Sequence, residues 1–507
     1  MEKSISRVIS EFAVNLKYED LPKDVITEVK RYLYDSIGCA FGAHNTKDVN
    51  IIRDIYKKMG GKPEATVIAF GEKIPSVNAT LVNSIMIRSL DFNDIYWKED
   101  PSHPSDIIPA ALSVAELVGA SMKDVIVAIV LAYEFEQRLC LFAKPGVRER
   151  KWHHATLTQF VSPIVAGKVL GLTVDQMVNA IGISGSHNHT IGCPTAGKLT
   201  MMKNTVDPMA VQSGVFAALM AQKGYSGTEK VFEGKEGFMD CFGGWDSKEE
   251  KIKPVMKSGR EGESQWLWDL DALVKDLGKN WKILECSMKA FPTEALTHTH
   301  ISATLDVVKT NDIAYDKIES VTVTTIARAC DILFDPHKYR PESRETADHS
   351  LPYCIAAAIA DRKITTQSFS EAKMKDPRIW EVIDKIKGEA SLEFENMFPA
   401  KQPSKVVIRT KDGKEFSKYL EYPKGDPREP MTIEDLENKF NGLSDNILSK
   451  KQQQEIKELI FNCDNLKARY FMSKLVVKKS LKKKKSLVTK KVQNVRSKKR
   501  ISRKVRK

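Results

Sequence analysis

The segment LDFNDIYWKEDPSHPSD, residues 90–106, separates two apolar stretches and decides how the rest of the chain is interpreted. Residues 77–90 read VNATLVNSIMIRSL and residues 107–120 read IIPAALSVAELVGA. Both patterns predict buried helices. Asp91 and His103 therefore belong to a polar, proline-interrupted loop held between two rigid elements, where catalytic groups are common. The alternative is an ordinary solvated loop that carries a surface carboxylate.

Length and composition place the chain among soluble globular proteins. A length of 507 residues exceeds what one hydrophobic core organises, so we expect two or three domains. The apolar fraction of 42% and the charged fraction of 29% are typical of such proteins. The most apolar stretch, residues 106–135, contains charged residues, which argues against a membrane span. The N-terminal sequence MEKSISRVISEF has no long apolar region, so no secretory signal is expected.

The eight cysteines are scattered along the chain and form no CxxC pair. This distribution favours reduced thiols in a cytoplasmic protein. An iron–sulfur site built from three distant cysteines remains an alternative, although no spacing supports it.

The net charge of +13 is concentrated at the C-terminus. From Lys474 onward there are 17 Lys or Arg residues and no acidic residue, so the preceding residues carry 13 minus 17, a net charge of −4. The basic end contains no aromatic residue and is predicted to be disordered in isolation. It fits a basic arm on nucleic acid, an arm on an anionic surface, or an extension without a role. We favour the last interpretation, because stacking residues and RNA-binding motifs are absent.

The pattern of elements changes after about residue 285. The first half reads as helical, whereas residues 320–326 alternate like a strand and residues 404–422 read as a hairpin turning at Asp412-Gly413. Helical sequence then returns. We therefore predict a mainly α fold with an α+β part, in which a large helical domain is built from both chain ends. The predicted boundaries are 1–285 and 424–465 for the helical domain, 286–423 for the inserted smaller α+β lid domain, and 466–507 for the basic tail.

The cleft between these domains is the expected ligand site. Lys203 and Lys289 both precede predicted helix starts, where free backbone N–H groups favour anions. Each lysine has apolar surroundings, and a buried ammonium requires an anionic partner. Asp207, followed by proline, reads as the N-cap of the helix after Lys203.

Two further stretches carry candidate polar groups. The pair His153 and His154 lies at the entrance to a helix, where adjacent histidines also occur without a function. The stretch RETADHSLPY, residues 344–353, gathers an arginine, two acids, a histidine and a tyrosine. The alternative interpretation of this stretch is a capped helix start.

Several of these motifs together resemble the MmgE/PrpD family of 2-methylcitrate dehydratases and cis-aconitate decarboxylases. The resemblance covers roughly residues 5–462 in the family's order, and it excludes the basic tail. The matching motifs are LDFND with HPSD, GKLTMMK with SGVFAALMAQKG, SMKAFPTE, RETADHSLPY, and YPKGDPREPMTIEDLENKF. The resemblance implies a helical domain with an α+β lid, a homodimer, and an interdomain site without an iron–sulfur cluster. We expect no metal and no cofactor in this site.

The resemblance also implies which residues form the site. The family's aspartate falls on Asp91, its loop histidine on His103, its two lysines on Lys203 and Lys289, and its lid tyrosine on Tyr353. A further histidine falls on His154, with His153 as the alternative. Arg344 is a weaker candidate for binding substrate.

Two positions bear on substrate choice. Ile95 replaces the threonine that usually follows DFND in the family, and this change removes a hydroxyl group. Glu294 lies in FPTE, where decarboxylase-like members resemble FPAH; the sequence TADHS is likewise closer to dehydratase-like members.

We therefore expect a lyase that dehydrates a hydroxy-tricarboxylate, with 2-methylcitrate as substrate and 2-methyl-cis-aconitate as product. His103 is assigned the proton-transfer role because imidazole titrates near neutral pH. Asp91 orients it, although the opposite assignment is open. Lys203 and Lys289 stabilise the charge that develops beside a substrate carboxylate, each contributing roughly 3 to 4 kcal/mol. The alternatives are cis-aconitate decarboxylation, isomerisation or epimerisation of a related polycarboxylate, and nucleic-acid binding through the tail.

Overall fold

The computed structural model describes residues 3–196, 199–243, 245–246, 248–249, 251–252 and 267–477. These residues pack around two main hydrophobic cores. The larger core combines the N-terminal half with residues 431–475, whereas the smaller one lies within residues 296–408. The predicted class, mainly α with an α+β part, is confirmed. None of the described helices has the length and apolar content needed to cross a membrane.

The first part of the large domain is a packed set of helices with short strand pairs. Its helices are α1 (Ile5–Asn15), α2 (Lys23–Ala43), α3 (Lys47–Met59), α4 (Ser76–Arg88), α5 (Ile108–Val118), α6 (Met122–Phe142), α7 (Ala155–Leu170), α8 (Val174–Gly185), α9 (Val206–Gln222), α10 (Phe238–Cys241) and α11 (Leu270–Val274). Its strands are β1 (Ala65–Thr66), β2 (Lys73–Ile74), β3 (Asp94–Trp97), β4 (Pro101–Ser102), β5 (Ala143–Lys144), β6 (Trp245–Asp246), β7 (Lys251–Ile252), β8 (Leu267–Trp268) and β9 (Ser287–Met288).

The small domain packs helices against a four-stranded sheet. Its helices are α12 (His298–Thr310), α13 (Ala327–Leu333), α14 (Arg344–Ala347), α15 (Leu351–Asp361), α16 (Pro377–Ile383) and α17 (Leu392–Met397). Its strands are β10 (Ile318–Thr325), β11 (Ile386–Ala390), β12 (Ser404–Thr410) and β13 (Glu415–Leu420). The strand order is β11-β10-β12-β13, and only the β10–β11 pair of this sheet is parallel. The predicted hairpin is confirmed, with Gly413 at its turn in a left-handed conformation.

The chain returns to the large domain through α18 (Ile433–Ser444), α19 (Lys450–Phe461) and α20 (Ala468–Lys474). A capping box formed by Thr432 and Asp435 opens α18. The predicted start of the tail at residue 466 is corrected. Residues 468–475 bury Phe471 and Leu475 in the large core, and Val476 forms a bridge with Ala69. Residues 478–507 lie outside the described residues, so nucleic-acid binding through them stays a prediction.

Backbone pairing brings the segment that leads into the small domain onto the loop of residues 90–106. Strand β9 pairs antiparallel with β3, with Asp94 opposite Met288 and Ile95 opposite Ser287. Lys289 follows β9 directly. The pairing thus joins the polar loop between α4 and α5 to the segment that enters the small domain.

Candidate active site

Asp91 lies just past the end of α4 in a left-handed backbone conformation, with a φ of 49°. Aspartate adopts this region more readily than most residues, and such conformations cluster at functional sites. The turn directs the carboxylate back toward the helix end, where Arg88 Nη1 donates to Asp91 Oδ1 over 2.5 Å. Both side chains are almost completely buried.

Three cations meet on the Asp91 carboxylate. Besides Arg88, Lys289 Nζ lies 2.9 Å from Oδ1 and Lys203 Nζ lies 3.2 Å from Oδ2. Burial alone would raise the pKa of Asp91, but the charges of Lys203, Lys289 and Arg88 hold it well below its ordinary value. Burial lowers the pKa of Lys203 to about 8, although Asp91 opposes this shift. The cluster has more positive than negative charge, so it favours a second anion.

Lys289 is fixed by contacts on several sides. Its ammonium donates to the backbone oxygens of Asp91 and Thr293, over 3.2 Å and 3.1 Å. From the return segment, the Lys439 ammonium donates to the carbonyls of Phe92 and Lys289. The two ends of the chain therefore both shape this corner of the site.

A hydrogen bond of His103 determines which of its two ring nitrogens carries the proton. Nδ1 lies 2.7 Å from the carbonyl oxygen of Asp94, which only accepts hydrogen bonds, so Nδ1 carries the proton. Burial lowers the pKa of His103 well below its ordinary value, and the nearby charges of Arg88 and Lys289 add to this effect. The ring is therefore neutral, and the lone pair on Nε2 is available to take a proton.

His154 packs beside His103, with 5.6 Å between ring centroids, and its Nε2 lies 3.3 Å from Asp207 Oδ1. The predicted N-cap role of Asp207 is corrected: α9 begins at Val206, and the carboxylate is buried against His154. His153 is also buried, but its Nδ1 accepts the N–H of Ala155. Of the two adjacent histidines, His154 is the one that lines the cavity.

Glu294 and His349 add titratable groups to the same cavity. Burial raises the pKa of Glu294 to about 7, against the opposing charge of Lys289. His349 Nε2 lies 3.9 Å from Asp91 Oδ2, and its Nδ1 lies 2.5 Å from a carboxylate oxygen of Asp348. Burial and the charge of Lys203 lower the pKa of His349.

The structure does not bring Tyr353 and Arg344 to the cavity. Tyr353 lies in the small core, where its hydroxyl donates to the Ser368 carbonyl over 2.7 Å. Arg344 is half-buried and donates to the Ser89 carbonyl over 2.9 Å. Its contact therefore ties the small domain to the residue that follows α4.

The cavity between the domains has a volume of about 350 Å³. This is large enough for a small polycarboxylate. One part of its wall is charged and another is apolar. The lining residues used below are Arg88, Asp91, Ile95, Trp97, His103, Arg148, His154, Leu199, Lys203, Lys289, Glu294, Ile332, Leu333 and His349.

Among the described residues, one triad has a geometry that could hold a metal ion: His153, His154 and Asp207. Arg88 Nε lies 3.8 Å from Asp207 Oδ2, so a positive charge already faces that carboxylate. This guanidinium opposes the binding of a second cation at the triad.

The sequence left Arg88, Asp207 and His349 out of the predicted site. Arg88 ends an otherwise uncharged and largely buried helix, and a charge in that position was the available signal because it requires a partner. Asp207 matched a capping pattern, and His349 lay inside RETADHSLPY, the stretch from which Arg344 and Tyr353 were selected.

Comparison with known families covers most of the chain. The model of the MmgE/PrpD N-terminal domain matches residues 7–251, and that of the MmgE/PrpD C-terminal domain matches residues 291–465.

Curated relatives align over nearly their full lengths. A cis-aconitate decarboxylase of Homo sapiens is 26% identical over 480 residues, covering 92% of this chain and 93% of the relative. One of Aspergillus terreus is 24% identical over 485 residues, covering 92% and 94%. A 2-methylcitrate dehydratase of Cupriavidus necator is 24% identical over 463 residues, covering 84% and 87%.

Proposed function

Because this chain belongs to the MmgE/PrpD family, we propose that it is a lyase that removes water from a hydroxy-tricarboxylate, with 2-methylcitrate as its substrate. The observation that carries this proposal is the convergence of Arg88, Lys203 and Lys289 on Asp91, within an interdomain cavity that is also lined by His103.

The cation cluster suits the difficult step of such a dehydration. A proton on a carbon beside a carboxylate is weakly acidic, and its removal places further negative charge on that carboxylate. Lys203 and Lys289 are both buried, and they would hold this carboxylate and stabilise the developing charge. Asp91 keeps both ammonium groups in position before substrate arrives.

His103 supplies the base in this proposal. Its Nε2 has a free lone pair because the Asp94 carbonyl holds the Nδ1 proton. As Nε2 takes the proton, the electrons of the carbon–hydrogen bond form the carbon–carbon double bond and the hydroxyl group leaves. His154, held by Asp207, packs beside the His103 ring and helps to fix its orientation.

The apolar wall supports a substrate with an alkyl substituent. Ile95, Leu199 and Leu333 are buried, and they line the cavity together with Trp97 and Ile332. Burying one methyl group against such a wall contributes about 0.8 kcal/mol or more. A methyl-bearing tricarboxylate therefore gains a contact that citrate lacks.

The test is an absorbance assay for alkene formation with a panel of 2-methylcitrate, citrate and other hydroxy-tricarboxylates. We expect the fastest absorbance rise with 2-methylcitrate. No rise with any member of the panel would contradict the proposal.

A cis-aconitate decarboxylase is the second candidate, and alignment coverage favours it. The human and Aspergillus terreus decarboxylases align with 92% of this chain, compared with 84% for the Cupriavidus necator dehydratase. Release of carbon dioxide from cis-aconitate, without hydration or dehydration, would establish this candidate instead.

Replacing Ile95 by threonine is expected to reduce the preference for 2-methylcitrate over citrate by about tenfold, since a methylene-sized contact discriminates by that order. The measurement is the ratio of kcat/KM values for the two substrates. The Ile433→Thr variant, changed at an exposed position on α18, serves as the control and should keep the wild-type ratio. An unchanged ratio in Ile95→Thr would show that Ile95 does not contact the methyl group.

We further propose that two copies of the chain associate through an apolar face formed by α3 and α9. Ile51, Ile55 and Met59 recur at a spacing of four residues along α3, and all three are exposed. Met209 and Phe216 are exposed on α9. Apolar faces of this extent on soluble proteins commonly mark interaction sites.

The Phe216→Glu variant is expected to be monomeric, because a carboxylate on this face cannot be buried in an apolar interface without a partner. Light scattering after size-exclusion chromatography measures the mass. The control is Leu392→Glu, which changes a side chain that is 77% exposed on the small domain. A monomeric wild type, or a dimeric Phe216→Glu variant, would contradict the proposed interface.

A further inference from the structure

Glu294 is a titratable residue of the cavity that the proposed reaction has not yet used. It enters the cavity from the segment that leads into the small domain, five residues after Lys289. Its backbone N–H donates to the Asp348 carbonyl over 3.0 Å, and its Oε2 accepts the N–H of Leu296 over 2.7 Å. The first bond fixes the backbone and the second fixes the carboxyl group, and Oε1 takes part in neither.

Loss of hydroxide needs a proton donor, and several cavity groups are poorly suited to that role. Asp91 is held as a carboxylate by three cations. Burial favours the neutral forms of His103 and His154, which removes the proton that either could give to a leaving group. Lys203 carries a proton, but its charge is committed to Asp91 and to the substrate carboxylate.

We propose that Glu294 is a catalytic residue, the general acid that protonates the departing hydroxyl group of the substrate. The proton of the Glu294 carboxyl passes to the hydroxyl oxygen as the carbon–oxygen bond breaks, so the products are water, the alkene and the Glu294 carboxylate. His103 has meanwhile gained the proton from carbon. Loss of that proton to solvent and uptake of one by Glu294 restore the starting state.

This inference rests on the proposed dehydration and adds a reason for its selectivity. A neutral carboxyl group adds no negative charge to a cavity that must admit a tricarboxylate. Burial keeps Glu294 partly protonated at neutral pH, since its pKa is raised to about 7. Decarboxylation releases no hydroxyl group, so the protonation of a departing hydroxyl by Glu294 belongs to water loss.

The test is the pH dependence of kcat for dehydration in the wild type and the Glu294→Gln variant. The acid form of Glu294 exists below its pKa and disappears as pH rises, so wild-type kcat should fall as pH rises through about 7. In Glu294→Gln we expect kcat to drop by about a hundredfold or more and this alkaline limb to vanish. Glutamine still accepts the Leu296 N–H, so the fold should be retained.

Two further variants make the result decisive. Glu285→Gln changes a partly exposed glutamate outside the cavity and should keep the wild-type profile. Glu294→Asp retains a carboxyl group, so a lower kcat with the limb still present supports the assignment even if Glu294→Gln fails to fold.

Two results would overturn the assignment. The first is a wild-type kcat in Glu294→Gln or, if only Glu294→Asp folds, a wild-type kcat in that variant together with an alkaline limb at the wild-type pH. The second is an alkaline limb that persists in Glu294→Gln, which would transfer the role to a group such as Lys203. In either case a wild type that dehydrates its substrate leaves the proposed function intact, whereas a wild type that dehydrates nothing overturns both.

Discussion

The His103→Ala variant is expected to lose about a hundredfold or more in kcat while it retains the fold. The substitution removes the Nε2 lone pair that takes the proton from carbon. It also removes the hydrogen bond to the Asp94 carbonyl, but the imidazole lines an existing cavity, so little packing is lost. Steady-state kinetics with 2-methylcitrate gives kcat, and thermal unfolding shows whether the fold is intact.

The matched control is His44→Ala. His44 is half-buried and makes the same kind of bond, from Nδ1 to the Phe41 carbonyl over 2.8 Å, but it does not line the cavity. The kcat of the His44→Ala variant should equal that of the wild type. A His103→Ala variant with near-normal kcat would remove His103 from the mechanism.

The pH profile provides a second check on His103. A base acts in its deprotonated form, so kcat/KM is lost as pH falls through its pKa. Because burial lowers the pKa of His103 well below 6.5, we expect kcat/KM to persist below the ordinary histidine range. This acid limb should be absent from the residual activity of His103→Ala.

The Lys203→Met variant is expected to lower kcat/KM for the tricarboxylate by about a hundredfold to a thousandfold, the effect of removing one preorganised charge from a buried site. Methionine has a similar length and leaves the apolar part of the packing in place. Lys203 is a cleaner test than Lys289, whose ammonium also satisfies two backbone carbonyls.

The control is Lys144→Met. Lys144 also pairs with a carboxylate, that of Asp269 over 2.8 Å, but both side chains are partly exposed. Surface pairs of this kind contribute about 1 kcal/mol or less to stability, so kcat/KM should not change. If Lys203→Met also kept the wild-type kcat/KM, Lys203 would be a structural partner of Asp91 with no role toward substrate.

The parts of the site that could be predicted from the sequence are those marked by a pattern among neighbouring residues. The proline-rich loop between two apolar helices identified Asp91 and His103. Lysines at apolar helix entries identified Lys203 and Lys289, and the structure places both ammonium groups on Asp91. The insertion of the α+β part was visible as a change in periodicity.

The rest depended on contacts between distant residues. Arg88 meets Asp106 and Asp207 only after α4, the loop and α9 have packed together. Tyr353 lies on α15, which is buried all round over most of its length. The spacing of apolar residues along such a helix does not show which face is turned toward the cavity. The sequence also does not show that the Lys439 ammonium donates a hydrogen bond to the backbone carbonyl of Lys289, which lies 150 residues earlier in the chain.

The central claim is that the Arg88, Lys203 and Lys289 cluster holds the carboxylates of a substrate beside His103. A crystal structure with propane-1,2,3-tricarboxylate, which lacks the hydroxyl group and cannot be dehydrated, tests it most directly. We predict one carboxylate within about 3 Å of both lysine ammonium groups and a methylene carbon facing His103 Nε2. Binding of the tricarboxylate in the separate cleft lined by Lys98, Lys424 and Arg428, with the cavity at Asp91 left free, would contradict the account.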